Sequence, residues 1–251
     1  MATKPDFYDV NLGRFLPANN GRGVVFNDQF VSWHDQIEIN LHDRFHGSDR
    51  YERDEEKELL TKCKKHAKKY ETPLTANNVV VITHPLYLQL THMHKVNSID
   101  ILAEIAQYTE NLVSLLKQCS QSKNVDVLFL ETVHHYAAAT SLFLEAELVN
   151  QVIFTLYDGG EALDPSDLNI LDKKFLYVCG GYNGQCLRAS IDQIMKKFGG
   201  QKIKAMKDLI INAPYKYDYS IKPLEIYKEC GVEFEISKII SLEDLIEQLG
   251  L

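Results

Sequence analysis

Apolar residues in this chain fall into short continuous blocks separated by stretches with helical spacing, and the alternation becomes regular from residue 78. Val79-Val80-Val81-Ile82 has the length and composition of a strand buried on both faces. Ser98 stands where it can cap a following helix, whose apolar positions Ile101, Leu102, Ile105, Leu112, Leu115, Leu116 and Cys119 form one stripe. Val125 to Leu130 predicts the second strand, Ala137 to Val149 a largely apolar helix, and Val152 to Leu156 the third strand. Asp164-Pro165-Ser166-Asp167 supplies a cap, a first-turn proline and a first-turn acid, so a short helix is expected there. Tyr177 to Cys179 centres the fourth strand. Its helix buries Leu187, Ile191, Ile194, Met195 and Phe198 and stops at Gly199-Gly200. Leu209 to Ile211 and Val232 to Ile236 predict two more strands, with a helix between them started by Pro223 and stopped by Gly231. Ser241-Leu242-Glu243-Asp244 has the pattern of a capping box.

Strands alternating with helices imply right-handed βαβ crossovers. The expected fold is therefore α/β: a mostly parallel sheet of about six strands with helices on both faces, a Rossmann-like three-layer sandwich. The preceding residues read differently. Val31, Trp33, Ile37, Ile39 and Leu41 alternate with polar residues, as in a half-buried antiparallel strand, and Gly23 to Phe26 can pair with it across Asn27-Asp28-Gln29. A charged stretch from Ser48 to Lys57 leads into a helix carrying Leu59, Leu60, Cys63, Ala67 and Tyr70 at helical spacing. The expected organisation is an N-terminal extension of hairpin and helix over residues 1–76, packed on an α/β core over 77–251 as one domain. Trp33 with Phe26, Phe30 and Phe45 would cover a sheet edge, or else form a dimer contact or a lid.

Composition narrows the function classes. With 251 residues, 45% of them hydrophobic, the chain can bury one ample core. Its formal net charge is −8, and its densest basic patch (Lys62, Lys64, Lys65, Lys68 and Lys69) reads as the solvated face of one helix. That argues against a nucleic-acid or anionic-membrane partner. Met1 to Tyr8 lacks the apolar core of a signal peptide, and no apolar run approaches the roughly 20 residues that span a bilayer. Five cysteines at irregular spacing fit neither a disulfide framework nor a CxxC-type zinc site, so a reducing cytoplasm is expected. The expected partner is a small-molecule ligand or substrate, with no cofactor and with a homodimer as an option.

In parallel α/β sheets, ligands bind beyond the carboxyl ends of the strands. The first strand exits into Thr83-His84-Pro85-Leu86-Tyr87, the second into Glu131-Thr132-Val133-His134-His135-Tyr136 and the third into Tyr157-Asp158-Gly159-Gly160-Glu161. The fourth leads into Gly180-Gly181-Tyr182-Asn183-Gly184-Gln185-Cys186. Their recurrence on one sheet edge points to a functional cleft. Cys186, at a helix start, reads either as a nucleophile whose thiolate the helix N-terminus stabilises or as a small buried hydrophobe. Cys63, Cys119 and Cys230 lie on apolar helix faces and Cys179 lies within a strand, so these four are expected in the core. The turn glycines read as a cradle for an anion or as residues that permit positive φ. Neither the GxGxxG nor the GxxxxGK[ST] spacing is present.

The segment from Gly180 to Ser190 (strand, glycine, polar turn, cysteine at the helix start, Leu/Ala-containing helix) resembles the nucleophile region of isochorismatase-type cysteine hydrolases. The resemblance implies a parallel α/β sheet and attack on amides or related bonds by a Cys, Asp and Lys set. Only Cys186 carries over. Thr83-His84-Pro85 stands where that family has its aspartate, and Lys173 and Lys174 lie before the fourth strand, at the opposite edge. Gly184-Gln185 replaces the family's Thr-Asp pair.

Three functions follow. In the first, a cysteine-dependent hydrolase or acyl-transfer enzyme, Cys186 attacks with His84 or His135 as base. Asp158 or Glu131 orients a histidine, and the Gly184–Cys186 amides hold the oxyanion. In the second, a non-catalytic module binds a small anion, nucleotide or protein, with Gly181, Asn183, Gly184, Gln185, Gly159 and His134 as ligand contacts. The third is a metal-assisted hydrolase using His84, His134 and Asp158, although adjacent histidines such as His134 and His135 diverge and seldom share one ion.

Overall fold

A computed structural model of the chain describes the short strands between residues 5 and 32 and residues 53–88, 99–155, 163–164, 166–199, 203–212 and 239–251. Strands β1 (Pro5–Asp9), β2 (Arg14–Pro17), β3 (Gly23–Phe26) and β4 (Gln29–Ser32) form a sheet of order β2-β1-β3-β4. β3 and β4 are the expected hairpin, with Val24 opposite Val31 and Phe26 opposite Gln29. Gln29, expected in the connecting turn, is itself part of β4. The rest of the alternating run from Trp33 to Leu41, and Phe45, lie outside the described residues.

The core elements are α1 (Arg53–Ala67), β5 (Asn78–Thr83), α2 (Ile99–Gln121), β6 (Val125–Thr132), α3 (Val133–His135) and α4 (Ser141–Glu145). They continue as β7 (Gln151–Thr155), β8 (Phe175–Gly181), α5 (Cys186–Phe198), β9 (Ile203–Ile211), β10 (Ile239–Ile240) and α6 (Leu242–Leu249). Every neighbouring pair in the order β10-β9-β8-β5-β6-β7 is parallel. Five strands have five to nine residues and β10 has two. Side chains alternate across the pleat, so Val80 and Ile82 join Leu112, Leu116 and Phe129 on one face. Val79 and Val81 join Leu187, Ile191 and Ile194 on the other. The molecule has the expected α/β architecture, with α2 on one face of the sheet and α5 on the other.

From β5 the chain runs outward to β6 and β7, then returns to the far side of β5 to lay down β8, β9 and β10. The topological switch point therefore lies between β5 and β8, where their successor helices leave toward opposite faces. Gly180 at this junction has φ +110°, and a Cβ there would stand 2.0 Å from the Thr83 carbonyl oxygen. The two backbones meet closely because residue 180 has no side chain.

Several boundaries differ from the periodicity reading. β9 starts at Ile203, six residues before Leu209, because exposed Lys207 and Asp208 interrupt its apolar pattern while Ile203, Ala205 and Met206 are buried. β10 is too short to leave a pattern. The helix expected from Pro165 is a 3-10 turn over Asp167–Leu171. Asp164 accepts from the backbone N–H and hydroxyl of Ser166 (2.8 and 2.7 Å), so it closes a local Asx-type turn and does not cap a helix. The helix expected over Ala137 to Val149 starts directly at Val133 and its last turn ends at Glu145. Tyr70 lies beyond the end of α1. The Ser98 cap, the Pro223 helix, the Val232 strand and Cys230 lie outside the described residues.

The capping box of α6 is present: Ser241 Oγ accepts from Asp244 N (3.0 Å) and Asp244 Oδ2 accepts from Ser241 N (3.0 Å). Ser241→Ala is expected to remove about 1 kcal/mol and to lower Tm by about 3 °C, readable in a thermal melt. Cys63, Cys119 and Cys179 are buried as expected, and burial pushes the thiols of Cys63 and Cys119 up to about 12. No described helix is long and apolar enough to cross a membrane.

Candidate functional site at the switch point

Three strands of the core end in a buried threonine: Thr83 on β5, Thr132 on β6 and Thr155 on β7. The residues around these ends make the site. β5 exits into His84, whose backbone lies in the left-handed region at φ 44°. Its N–H donates to Leu130 O (2.9 Å) and its carbonyl accepts from Tyr87 N (3.2 Å), which holds the bend. For a residue with a Cβ this conformation costs about 1–3 kcal/mol, and such strain gathers at functional positions. His84 Nε2 lies 3.4 Å from Thr155 Oγ1, and Nδ1 is buried without a hydrogen-bond partner.

β6 delivers Glu131 and then turns into α3 without a loop, because Thr132 Oγ1 accepts the His135 N–H (3.1 Å) and caps the turn. Glu131 Oε1 accepts from Thr132 N (2.9 Å) and lies 3.3 Å from His135 Nδ1, while Oε2 is buried without a partner. Residues Tyr136–Thr140 form a π turn in which the Ser141 N–H reaches back to Tyr136 O. Turns of this kind insert an extra residue into a helix and recur at functional sites.

The aromatic floor is shared by the exits of β5, β6 and β8. Tyr87 stacks on His84 (centroids 5.4 Å) and meets His135 (4.7 Å) and Tyr182 (4.9 Å) edge to face. His84 and His135 stand 6.1 Å apart. Tyr108 of α2 closes the underside by donating to Pro85 O (2.9 Å). His84, Glu131, His135, Tyr136 and Tyr182 are all completely buried. Burial first of all raises the Glu131 carboxyl to about 7, against lowering by His84, the Thr132 N–H and the Thr140 hydroxyl. Burial likewise lowers the His84 imidazole to about 4. Near neutral pH His84 is uncharged and Glu131 is poised to gain or lose a proton, as an acid–base group requires.

On the other side of the switch point β8 runs through Gly180 and Gly181 into Tyr182, after a cis Gly181–Tyr182 peptide. Asn183 is buried; its N–H donates to Ile211 O (2.8 Å) and its Nδ2 to Asn212 Oδ1 (2.9 Å), leaving Oδ1 without a partner. Gly184 has φ +69°, as a tight βα turn demands. Gln185 holds the N-cap position of α5 with no side-chain cap, and its Nε2 is unpartnered. Cys186 is the first residue of the 13-residue α5 and is 4% exposed. The Gln185 N–H donates to Tyr182 O (3.0 Å) and the Leu187 N–H to the same oxygen (3.2 Å). The expected oxyanion donor set of Gly184–Cys186 therefore loses Gln185, whose amide closes the turn.

The structure thus gathers His84, Glu131 and His135 on one side of the switch point and places Gly181, Asn183, Gly184, Gln185 and Cys186 on the other. Asp158 and Gly159 lie outside the described residues, as does the side chain of His134. Among the described residues no group of three His, Cys, Asp or Glu side chains is arranged to hold a metal ion. Tyr87, Tyr182, Thr155 and Tyr136 were not singled out from the sequence. The signal available for one of them was the repeated threonine at the strand ends; aromatic residues in a polar turn give no such sign before the fold brings them together.

No family model and no curated protein matches the chain. Among solved structures, an isochorismatase-like hydrolase from Alkaliphilus metalliredigens is similar at 10% identity, over 69% of this chain and 99% of that one, with a TM-score of 0.46. A proposed MAR1 ribonuclease from Leishmania major is similar at 10% identity, over 72% of this chain and 87% of that one, with a TM-score of 0.40. The first bears the name of the family that residues Gly180 to Ser190 resemble.

Proposed function

We propose that the chain is a small-molecule hydrolase or acyl-transfer enzyme working at the carboxyl edge of its sheet, with Cys186 as nucleophile. The observation that carries this reading is the buried Glu131–His135 pair at the end of β6, one strand from the topological switch point and joined through the Tyr87 ring to Tyr182 in the glycine turn that leads to Cys186 at a helix start. A thiol in the first turn of a helix meets the positive end of the helix dipole, which favours thiolate. Glu131 and His135 supply a carboxylate–imidazole pair for moving the proton that attack and leaving-group departure require. Attack forms a thioester and releases the leaving group with that proton; water then hydrolyses the thioester and regenerates the thiol. His84, uncharged and with Nδ1 open, is a second acceptor within the same buried set.

Turnover of a panel of activated acyl esters and small carboxamides tests the proposal. Cys186→Ala is expected to lower kcat/KM on any turned-over compound by about 10³-fold or more, with loss of the acyl-enzyme burst. Undiminished turnover in that variant would remove the thiol from the mechanism.

One observation favours a second reading. Cys186, His84, Glu131 and His135 are all at most 4% exposed, and residues so buried also suit a binding module that closes over a small ligand. In that case anionic ligands stabilise the protein to heat equally well with and without the Cys186 thiol.

A further inference from the structure

A second polar chain lies outside the site. His66, in the last turn of α1, places Nδ1 2.9 Å from the Tyr136 hydroxyl and Nε2 3.3 Å from Glu145 Oε1. Its ring also packs on Tyr70 (5.1 Å) and on Tyr136 (5.9 Å). Tyr136 is fully buried, and its ring meets Phe154 of β7 edge to face (5.0 Å). One turn before His66, Cys63 Sγ lies 3.7 Å from Val133 O. The end of α1 is therefore fastened to 133–145, the run that follows Glu131, by side-chain bonds at Val133, Tyr136 and Glu145.

The point of attachment matters. Tyr136 is the residue after His135 and opens the π turn, so neighbouring residues send their side chains to two different networks. His135 goes to Glu131 at the sheet edge; Tyr136 goes to His66 beneath α1. A π turn sets its residues at a rotation that a plain α-helix does not give. Holding the Tyr136 hydroxyl fixes that rotation, and with it the approach of His135 to Glu131.

We propose that His66, bridging Glu145 and Tyr136, is a positioning residue: it sets the Glu131–His135 geometry from a helix outside the core sheet. This rests on the reading of Glu131 and His135 as the proton-transfer pair. The N-terminal extension is then a working part of the site, because α1 carries the group that aligns it. Whatever moves α1 alters proton transfer without touching the ligand.

The test is carboxyl and imidazole NMR of the full chain across pH, following Glu131 and His135 in wild type, Tyr136→Phe, His66→Phe, His66→Gln and the double variant. Tyr136→Phe removes one oxygen and keeps the buried ring, so the fold survives even where His66→Phe fails. The Glu131 midpoint is expected to move by about 0.5 unit or more, roughly threefold in its proton equilibrium, in Tyr136→Phe and in His66→Phe. The double variant moves it no further than either single change. His66→Gln, which keeps a polar group opposite the Tyr136 hydroxyl, recovers part of the shift. Wild-type titration of both groups in Tyr136→Phe, even with stability lowered, would overturn the proposal and leave His66 a brace. The readout needs no turnover, so it separates from the hydrolase assay: a shifted midpoint stands even if Cys186→Ala keeps full activity.

Discussion

Gly180→Ala is expected to remove about 3 kcal/mol or more of stability. The reason is local and steric. Residue 180 has φ +110°, a conformation that residues with a Cβ rarely adopt, and the added carbon would stand 2.0 Å from Thr83 O and 2.8 Å from Thr83 N. Those atoms belong to the backbone of the central strand, which is hydrogen-bonded to β6 and β8 on either side, so they have little freedom to retreat. The strain falls on the β5–β8 junction, and the site opens before the rest of the sheet. Gly250→Ala is the control: Gly250 also has positive φ, at +64° with ψ 43°, but a Cβ there meets nothing within 4 Å. Its cost is therefore the conformational part alone, about 1 kcal/mol. Urea unfolding of the two variants measures the difference. Equal losses would mean that the close approach of β5 and β8 contributes nothing.

The second large effect is a change in how stability depends on pH. The Glu131 carboxyl is raised from 4.5 to about 7 on folding, so the folded chain holds that proton more tightly than the unfolded chain does. Its favourable contribution is complete below about pH 4.5 and is lost as pH rises through 7, a swing of about 3 kcal/mol. His84 behaves in the opposite sense. Its imidazole falls from 6.5 to about 4, so the unfolded chain takes the proton more readily, and stability is lost as pH falls from 6.5 to 4. Between pH 4.5 and 6.5 the two slopes cancel, and wild type shows little dependence from this cluster. Glu131→Gln removes one of them. The stability of that variant relative to wild type is expected to rise by about 3 kcal/mol between pH 4.5 and 7.5, while the variant itself weakens on acidification below 6.5. Denaturant titrations at the two pH values give the answer. A difference that does not vary with pH would mean that Glu131 titrates as an ordinary carboxyl.

Much of the fold could be read from the chain because its signals were local. A valine run bounded by polar residues, the stripe from Ile105 to Cys119 and the Ser241–Asp244 box each state one element within a few residues. β9 resisted this because Lys207 and Asp208 sit exposed in the middle of an otherwise buried strand. The helical run after β6 resisted it because Thr132 caps a helix directly on the strand, and no loop composition announces the change.

The site was legible by edge but not by partner. Strand exits located His84, Glu131, His135 and Cys186 on the carboxyl edge, which follows from sheet topology alone. That Thr155 holds His84 and that Tyr87 contacts residues from three exits depend on pairings about 70 to 95 residues apart in sequence, while Glu131 meets His135, four residues on, only because Thr132 caps a helix directly on the strand. The chain of His66 to Tyr136 is of the same kind. A lysine-rich helix end showed its charge in the sequence and gave no sign that His66 turns toward Tyr136 and Glu145.

The most direct test of the central claim is the rate of Cys186 alkylation by iodoacetamide as a function of pH, read by peptide mass spectrometry. Cys63 and Cys119, whose thiols burial pushes up to about 12, are internal controls. A nucleophile at this helix start is expected to react with a midpoint well below the unperturbed value of about 8.5, and faster than either control. A Cys186 that reacts no faster than Cys63 and Cys119 at any pH would contradict the account and leave a ligand-binding crevice in its place.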